Sequence, residues 1–190
     1  MSARTRDPEA KRAAVLSAAI EAFTSDGFQG TSTAAIAAAA GVSEGIVFHH
    51  FGSKHGLLEA CATSSAEAFI TGELRTGHLE RVDEQRLVGA IFDWVAGHPL
   101  ISGVWAERDD RVIGALRRGI QRAVVQHVAA RLDDEQAAGR CRPGDTTFFA
   151  RLQFGVVGEA LALHFAAADR FPRELVVAET ARGVAGITRP

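Results

Sequence analysis

The chain has 190 residues, 47% hydrophobic and 23% charged, which is enough to bury a sizeable core and unlike a disordered or fibrous protein. Its formal net charge of −2 excludes the strongly basic balance that marks many nucleic-acid-binding domains, so any contact with DNA has to come from local geometry. Scarce proline, abundant alanine and the lack of an alternating β-branched run predict an all-α fold.

Residues 2–7 read as a polar arm whose Arg4 and Arg6 either reach a minor groove or form a solvated tail. Pro8 to Ser25 is predicted as the first helix, with Val15, Leu16, Ala19, Ile20 and Phe23 on one stripe. Asp26-Gly27 ends it and Phe28 folds back over the exit, while Lys11 and Arg12 can reach a duplex backbone. The stretch that follows, Thr31 to Lys54, reads as a short helix, a tight turn and a second short helix. Thr31 is placed to cap the first, Gly41 supplies the left-handed backbone of the turn, and Ser43 caps the second. Val47 and Phe51, four apart, point inward, which leaves Glu44, Ile46, His49 and His50 outward. A helix–turn–helix with an outer face of short, mixed side chains has the shape that enters a DNA major groove.

These residues carry a family resemblance. Ala18-Ala19, Phe23, Gly27, Gly30-Thr31, Ile36-Ala37, Ala40 to Ser43, Gly45, His50-Phe51 and Ser53-Lys54 fall without a gap at the spacing of one known domain. The chain resembles, over about its first sixty residues, the N-terminal domain of the tetracycline-repressor (TetR-like) family of bacterial transcription regulators. The resemblance implies a three-helix DNA-binding domain over residues 1–52 and a helical effector-binding and dimerisation domain over residues 53–190. It further implies a homodimeric repressor on a palindromic double-stranded operator, released by a small molecule, with no cofactor and no metal.

On that reading Thr31 and Thr33 offer hydroxyls to phosphate at the start of the positioning helix. Ser43 caps the recognition helix, and Glu44 either accepts from a cytosine amine or turns away from the phosphates. Gly45 permits close approach, and Ile46 can press on a thymine methyl. Phe48 stands where the family commonly has Tyr, so a phosphate-binding hydroxyl is missing. It either touches sugars and methyl groups or joins the core beside Phe51. His49 falls where the family often contacts base or phosphate, His50 where it holds phosphate, and Lys54 is a further phosphate ligand. The first sixty residues set Arg4, Arg6, Lys11, Arg12 and Lys54 against Asp7, Glu9, Glu21, Asp26, Glu44 and Glu59, which predicts a shallow salt dependence. His49, His50, His55 and Cys61 lack the spacing of metal ligands.

Ser53 to about Ile70 is the predicted fourth helix, carrying Leu58, Cys61, Ala62, Ser65 and Phe69. Thr71 to Gln85 reads as a loop and Asp83 to Ala96 as a fifth helix. Pro99 opens a short sixth with Ile101, Val104 and Trp105. A seventh, capped by Asp109 or Asp110, runs to about Ala138 with Ile113, Leu116, Ile120, Val124, His127 and Ala130 as its stripe. After a turn at Gly139 to Gly144 come Asp145–Ala168 and Pro172–Gly186. The first of these is apolar on more than one face and needs cover on both sides, one of them supplied by a second subunit. Phe148, Gly155, Gly158, Ala162, Val176 and Val184 are the interface candidates. Trp94, Trp105, His127, Phe154 and His164 are the candidates for a ligand pocket, although core packing explains each as well. Their mixture points to a largely hydrophobic ligand with one or two hydrogen-bonding groups.

No glycine-rich phosphate loop, nucleophile elbow or repeated metal-ligand spacing suggests an enzyme. No apolar run is suited to crossing a bilayer, no signal peptide opens the chain, and Cys61 and Cys141 read as reduced thiols, so a cytoplasmic location is expected. The alternative is a helical ligand-binding or partner-binding module that has lost specific DNA recognition.

Overall fold

The computed structural model describes residues 8–75, 83–102 and 109–189. Among them every regular element is helical: α1 (Pro8–Gly30), α2 (Thr33–Ala39), α3 (Glu44–Phe51), α4 (Lys54–Arg75), α5 (Glu84–Gly97), α6 (Pro99–Ser102), α7 (Asp110–Ala137), α8 (Thr146–Ala166) and α9 (Arg173–Thr188). The arm with Arg4 and Arg6, and Val104 and Trp105, lie outside the described residues.

The Asp-Gly pair does break α1: Gly27 has φ 71° and ψ 170°, and helical backbone then resumes to Gly30. Phe28 turns back onto Phe23, with ring centroids 5.6 Å apart. Thr31 is not the cap of α2. Its side chain is buried, with the hydroxyl directed at the carbonyls of Gly27 (2.8 Å) and Ala22 (3.1 Å) beside the kink. Ser32 caps α2 instead, its Oγ accepting from the Ala35 N–H at 3.1 Å. Gly41, at φ 67°, turns the chain so that α2 and α3 cross at 109°, the angle of a helix–turn–helix. Gly52, at φ 72°, turns α3 into α4, and Ser53 caps that helix by accepting from the Gly56 N–H.

From there α4 runs as far as Arg75, so Thr71 to Arg75 are helix rather than loop. One internal glycine costs about 1 kcal/mol, too little to end a long helix held along its length by a neighbour. That neighbour is α7. A methyl group added at Gly119 would lie 2.2 Å from the Glu59 carbonyl oxygen and 2.8 Å from Ala62 Cβ, so the two backbones touch there. The Thr63 hydroxyl is directed at both the Gly119 carbonyl (3.1 Å) and its own helix's Glu59 carbonyl (2.9 Å). Beside this contact the Glu59 carboxylate accepts from Arg118 and Arg122 of α7.

The remaining helices close the body. Arg173 of α9 donates to the Gly89 carbonyl and the Asp93 carboxylate of α5. Gln153 of α8 donates to the Val184 carbonyl of α9. Asp83, Asp109 and Asp145 cap α5, α7 and α8; of these only Asp109 is expected as a cap, the other two being expected as the first residues of their helices. The principal core is continuous, from Val15, Phe23, Ile36 and Val47 through Leu57, Leu58 and Cys61 to Phe92, Leu116 and Val177. Cys61 is fully buried, which pushes its thiol up to about 12 and leaves it unreactive. No single helix among the described residues is long and apolar enough to cross a membrane.

Candidate nucleic-acid interface and ligand cavity

The outward face of the helix–turn–helix is built by α3, whose inward Val47 is 1% exposed and fixes its rotation. Glu44, Gly45, Phe48 and His49 are exposed and Ile46 and His50 half-buried. Phe48 is 46% exposed, which excludes the core reading. Gly45 has only Ser43 Oγ near the place of a Cβ, so the backbone there is open to close approach. Ser43 occupies the cap position of α3, but its side chain makes no capping hydrogen bond. Its hydroxyl is therefore not consumed by the helix, contrary to expectation.

Two of the expected phosphate donors are corrected. Thr31 is turned inward and spends its hydroxyl on backbone carbonyls. Thr33 donates to the Glu44 carboxylate at 2.6 Å, which links the first turns of α2 and α3 and holds the acid at the edge of the face. Of the cations, Lys54 lies with its ammonium 4.3 Å from the centre of the Phe28 ring, and partial burial holds it below the ordinary lysine value. The Arg12 guanidinium sits 5.6 Å from the Phe51 ring. His49 and His50 meet edge to face at 5.3 Å. Both aromatic platforms are core residues of the head, so they set where the cations can reach.

The body holds a cavity of about 340 Å³ between α4, α5, α7 and α8. Trp94, His127 and Phe154 line it, as expected. Trp94 stacks on Phe69, which also lines it, at 4.9 Å. His164 does not line it: its ring pairs with the Phe171 carbonyl at 2.9 Å and packs against Phe92, a structural role at the α8–α9 corner. Trp105 lies outside the described residues. Sequence reasoning missed Arg131, Gln153 and Glu84 on the cavity wall. Arg131 had a signal, since it stands one helical turn after His127 on the same stripe.

The expected interface residues separate in the structure. Gly155, Gly158 and Ala162 face the cavity rather than a partner, and Val176 and Val184 are buried within the single chain. Phe148 alone of the set stands out, at 54% exposure. It belongs to a different stripe of α8, Phe148, Leu152, Val156 and Leu163, all exposed. Leu175 of α9 is exposed as well, and Val156 reaches towards Gly183 of α9. The third face of α8, with Phe149, Ala150, Ala160 and Leu161, is buried. The apolar excess of this helix thus serves core, cavity and surface together.

Comparison with known proteins agrees with this geometry. The family described as bacterial regulatory proteins, tetR family, matches residues 15–61. The chain is 32% identical over 134 residues to the HTH-type transcriptional regulatory protein RaaS of Mycobacterium tuberculosis, covering 69% of this chain and 59% of that protein. It is 39% identical over 93 residues to the HTH-type transcriptional regulator BetI of Escherichia coli, covering 44% of this chain and 45% of BetI. The chain therefore aligns with less than two thirds of the length of these relatives. Among solved structures, RolR in complex with resorcinol shares the fold with a TM-score of 0.67 at 17% identity, over 95% of this chain and 88% of that one.

Proposed function

The chain is a TetR-like protein, and from that premise we propose that it is a DNA-binding transcription regulator whose helical body responds to a small ligand. The observation that carries the first half is the outward face of α3. It offers Phe48, His49 and Gly45 to solvent, while Val47 anchors the helix from behind. On DNA, Ile46 and Phe48 press on methyl and sugar groups, His49 and His50 take base edges or phosphates, and Lys54, Lys11 and Arg12 take backbone phosphates. Ser43, with its hydroxyl uncommitted to capping, joins them, and the Glu44 carboxylate is engaged by the Thr33 hydroxyl. Residues 1–52 act as the reading head and residues 53–190 as the body that carries it.

The partner is a second copy of the chain. Phe148, Leu152, Val156 and Leu163 on one stripe of α8, with Leu175 on α9, are exposed apolar side chains that a monomer would leave wet. Pairing them across a two-fold axis places two heads for a palindromic operator. The cavity takes a small, largely apolar effector, as RolR takes resorcinol. Occupancy is felt at the head because α7 lines the cavity and touches α4 backbone to backbone at Gly119. An effector that favours one position of α7 moves α4, and with it the head, so that the operator is released.

The test is selection of genomic fragments by the purified protein at moderate salt, with a Phe48→Ala/His49→Ala variant in parallel. A shared palindrome enriched only by the unaltered protein supports the reading. Equal recovery of fragments by both proteins overturns it in favour of a binding module without specific DNA recognition.

A further inference from the structure

Among the charged groups on the cavity wall, Arg131 is one that an apolar ligand would not explain. Arg131 of α7 lines it beside Val124, Val128 and His127, in a wall that is otherwise mostly hydrocarbon. Among the described residues, no hydrogen bond or ion pair reaches its guanidinium. The acid one turn further along its own helix, Glu135, is occupied in a two-bond pairing with Arg140, at 2.7 and 2.9 Å. Glu84, across the cavity at the start of α5, is felt electrostatically but does not pair with it. Desolvation depresses Arg131, and the His127 ring beside it is held below the ordinary imidazole value by burial and by Arg131 itself. A largely dehydrated guanidinium with no hydrogen-bonded acceptor is costly to keep. Its planar fork fits a carboxylate with two parallel bonds.

We propose that the effector is an amphiphilic anion: an apolar body seated among Phe69, Ile91, Trp94 and Phe154, with a carboxylate at one end held by the Arg131 guanidinium. His127, on the same face one turn before, stands at the same end of the site and donates to the second oxygen of the head group. The acids on the wall do not reverse this polarity. Glu73 already has a partner, Glu84 lies within the field of Arg131, and Glu159 is exposed, while Arg117 adds a second cation to the wall. The volume, about 340 Å³, lies at the small end of ligand sites, which favours a single chain or a small ring system.

This inference rests on the reading of the cavity as the effector site, and its test uses no DNA, so failure of either is distinguishable. Three probes with the same ten-carbon chain, decanoate, decanol and decylammonium, are titrated calorimetrically into the full-length protein and into Arg131→Gln. Folding of the variant is checked by circular dichroism and thermal melting, and Arg131→Lys serves as a second variant that keeps the charge and loses the fork. The expected result is decanoate binding about ten- to a hundredfold tighter than decanol. Arg131→Gln removes that preference, while Arg131→Lys keeps part of it. Equal affinity for decanoate and decanol overturns the proposal, as does a preference that survives Arg131→Gln or binding of none of the three. Preference for decylammonium also overturns it and assigns the head-group site to Glu73 and Glu84.

Discussion

The reading head and the body are made from the same kind of amphipathic helix, yet their interiors are opposite. In the head, Val15, Phe23, Ile36 and Val47 are buried together, packed with Leu57 and Leu58 of α4. In the body, Ile91, Ile120, Val124, Phe154 and Val157 face a cavity, and Phe148 and Leu152 face outward. A head that must present one shape to a groove gains from a dense core that admits one arrangement. A body that must respond to a ligand needs a core left incomplete, to be finished by another molecule. The α4–α7 contact joins the two, and it is dense like the head.

Substitution can break this contrast directly. Ile36→Ala or Phe23→Ala in the buried head is expected to cost about 2–5 kcal/mol, because the space left behind collapses only in part. Ile120→Ala or Phe154→Ala on the cavity wall is expected to cost about half as much or less, since those side chains already lack neighbours on one side. Chemical denaturation of the four variants measures the difference, and equal losses would mean that the body is as closely packed as the head.

Gly119→Ala addresses the joint. The new methyl group meets backbone on α4, so separation of the helices by overpacking should cost about 1–3 kcal/mol. The accompanying change to look for is weaker linkage between ligand and DNA affinity. Thr31→Val should cost about 1–2 kcal/mol by leaving the Ala22 and Gly27 carbonyls without its hydroxyl. That loss separates the observed inward role of Thr31 from a phosphate contact, which would lower DNA affinity and leave stability alone.

The smallest effect is that of pH. Burial holds both His98 and His127 below the ordinary imidazole value of 6.5, with Arg131 adding to the effect at His127. The fold therefore favours their neutral forms. Their contribution is complete above pH 6.5 and declines as pH falls below it towards the folded values. Melting temperature should drop on acidification from about pH 7 to 5.5, and a His98→Asn/His127→Asn variant should show a flatter profile. An unchanged slope would place the acid sensitivity elsewhere.

The head was the more legible region because its signals are local. Gly27, Gly41 and Gly52 each take positive φ where the sequence places a turn, and Val47 faces inward four residues before Phe51. The error at its centre was one residue wide: Thr31 and Ser32 are both good caps, and only the carbonyls beside the kink decide between them. In the body the helices were legible from their apolar stripes and breaks, but the partners of each face were not. Gly155, Gly158 and Ala162 look like a close-packing seam on one helix, yet α8 is rotated so that they border the cavity and its Phe148 stripe faces out. That rotation depends on packing against α7 and α9, and helical periodicity carries no information about it.

The measurement that bears most directly on this account is the DNA affinity of a protein whose cavity is filled from within. Gly158 lines the cavity, and nothing lies near the place of its Cβ, so Gly158→Leu puts a side chain where the effector would sit. Affinity of the unaltered and substituted proteins for a duplex recovered by fragment selection is then compared by fluorescence anisotropy. The account predicts that Gly158→Leu folds with similar stability and binds the duplex about 5- to 150-fold more weakly. An equally stable variant that binds the duplex unchanged would contradict the coupling of cavity to reading head.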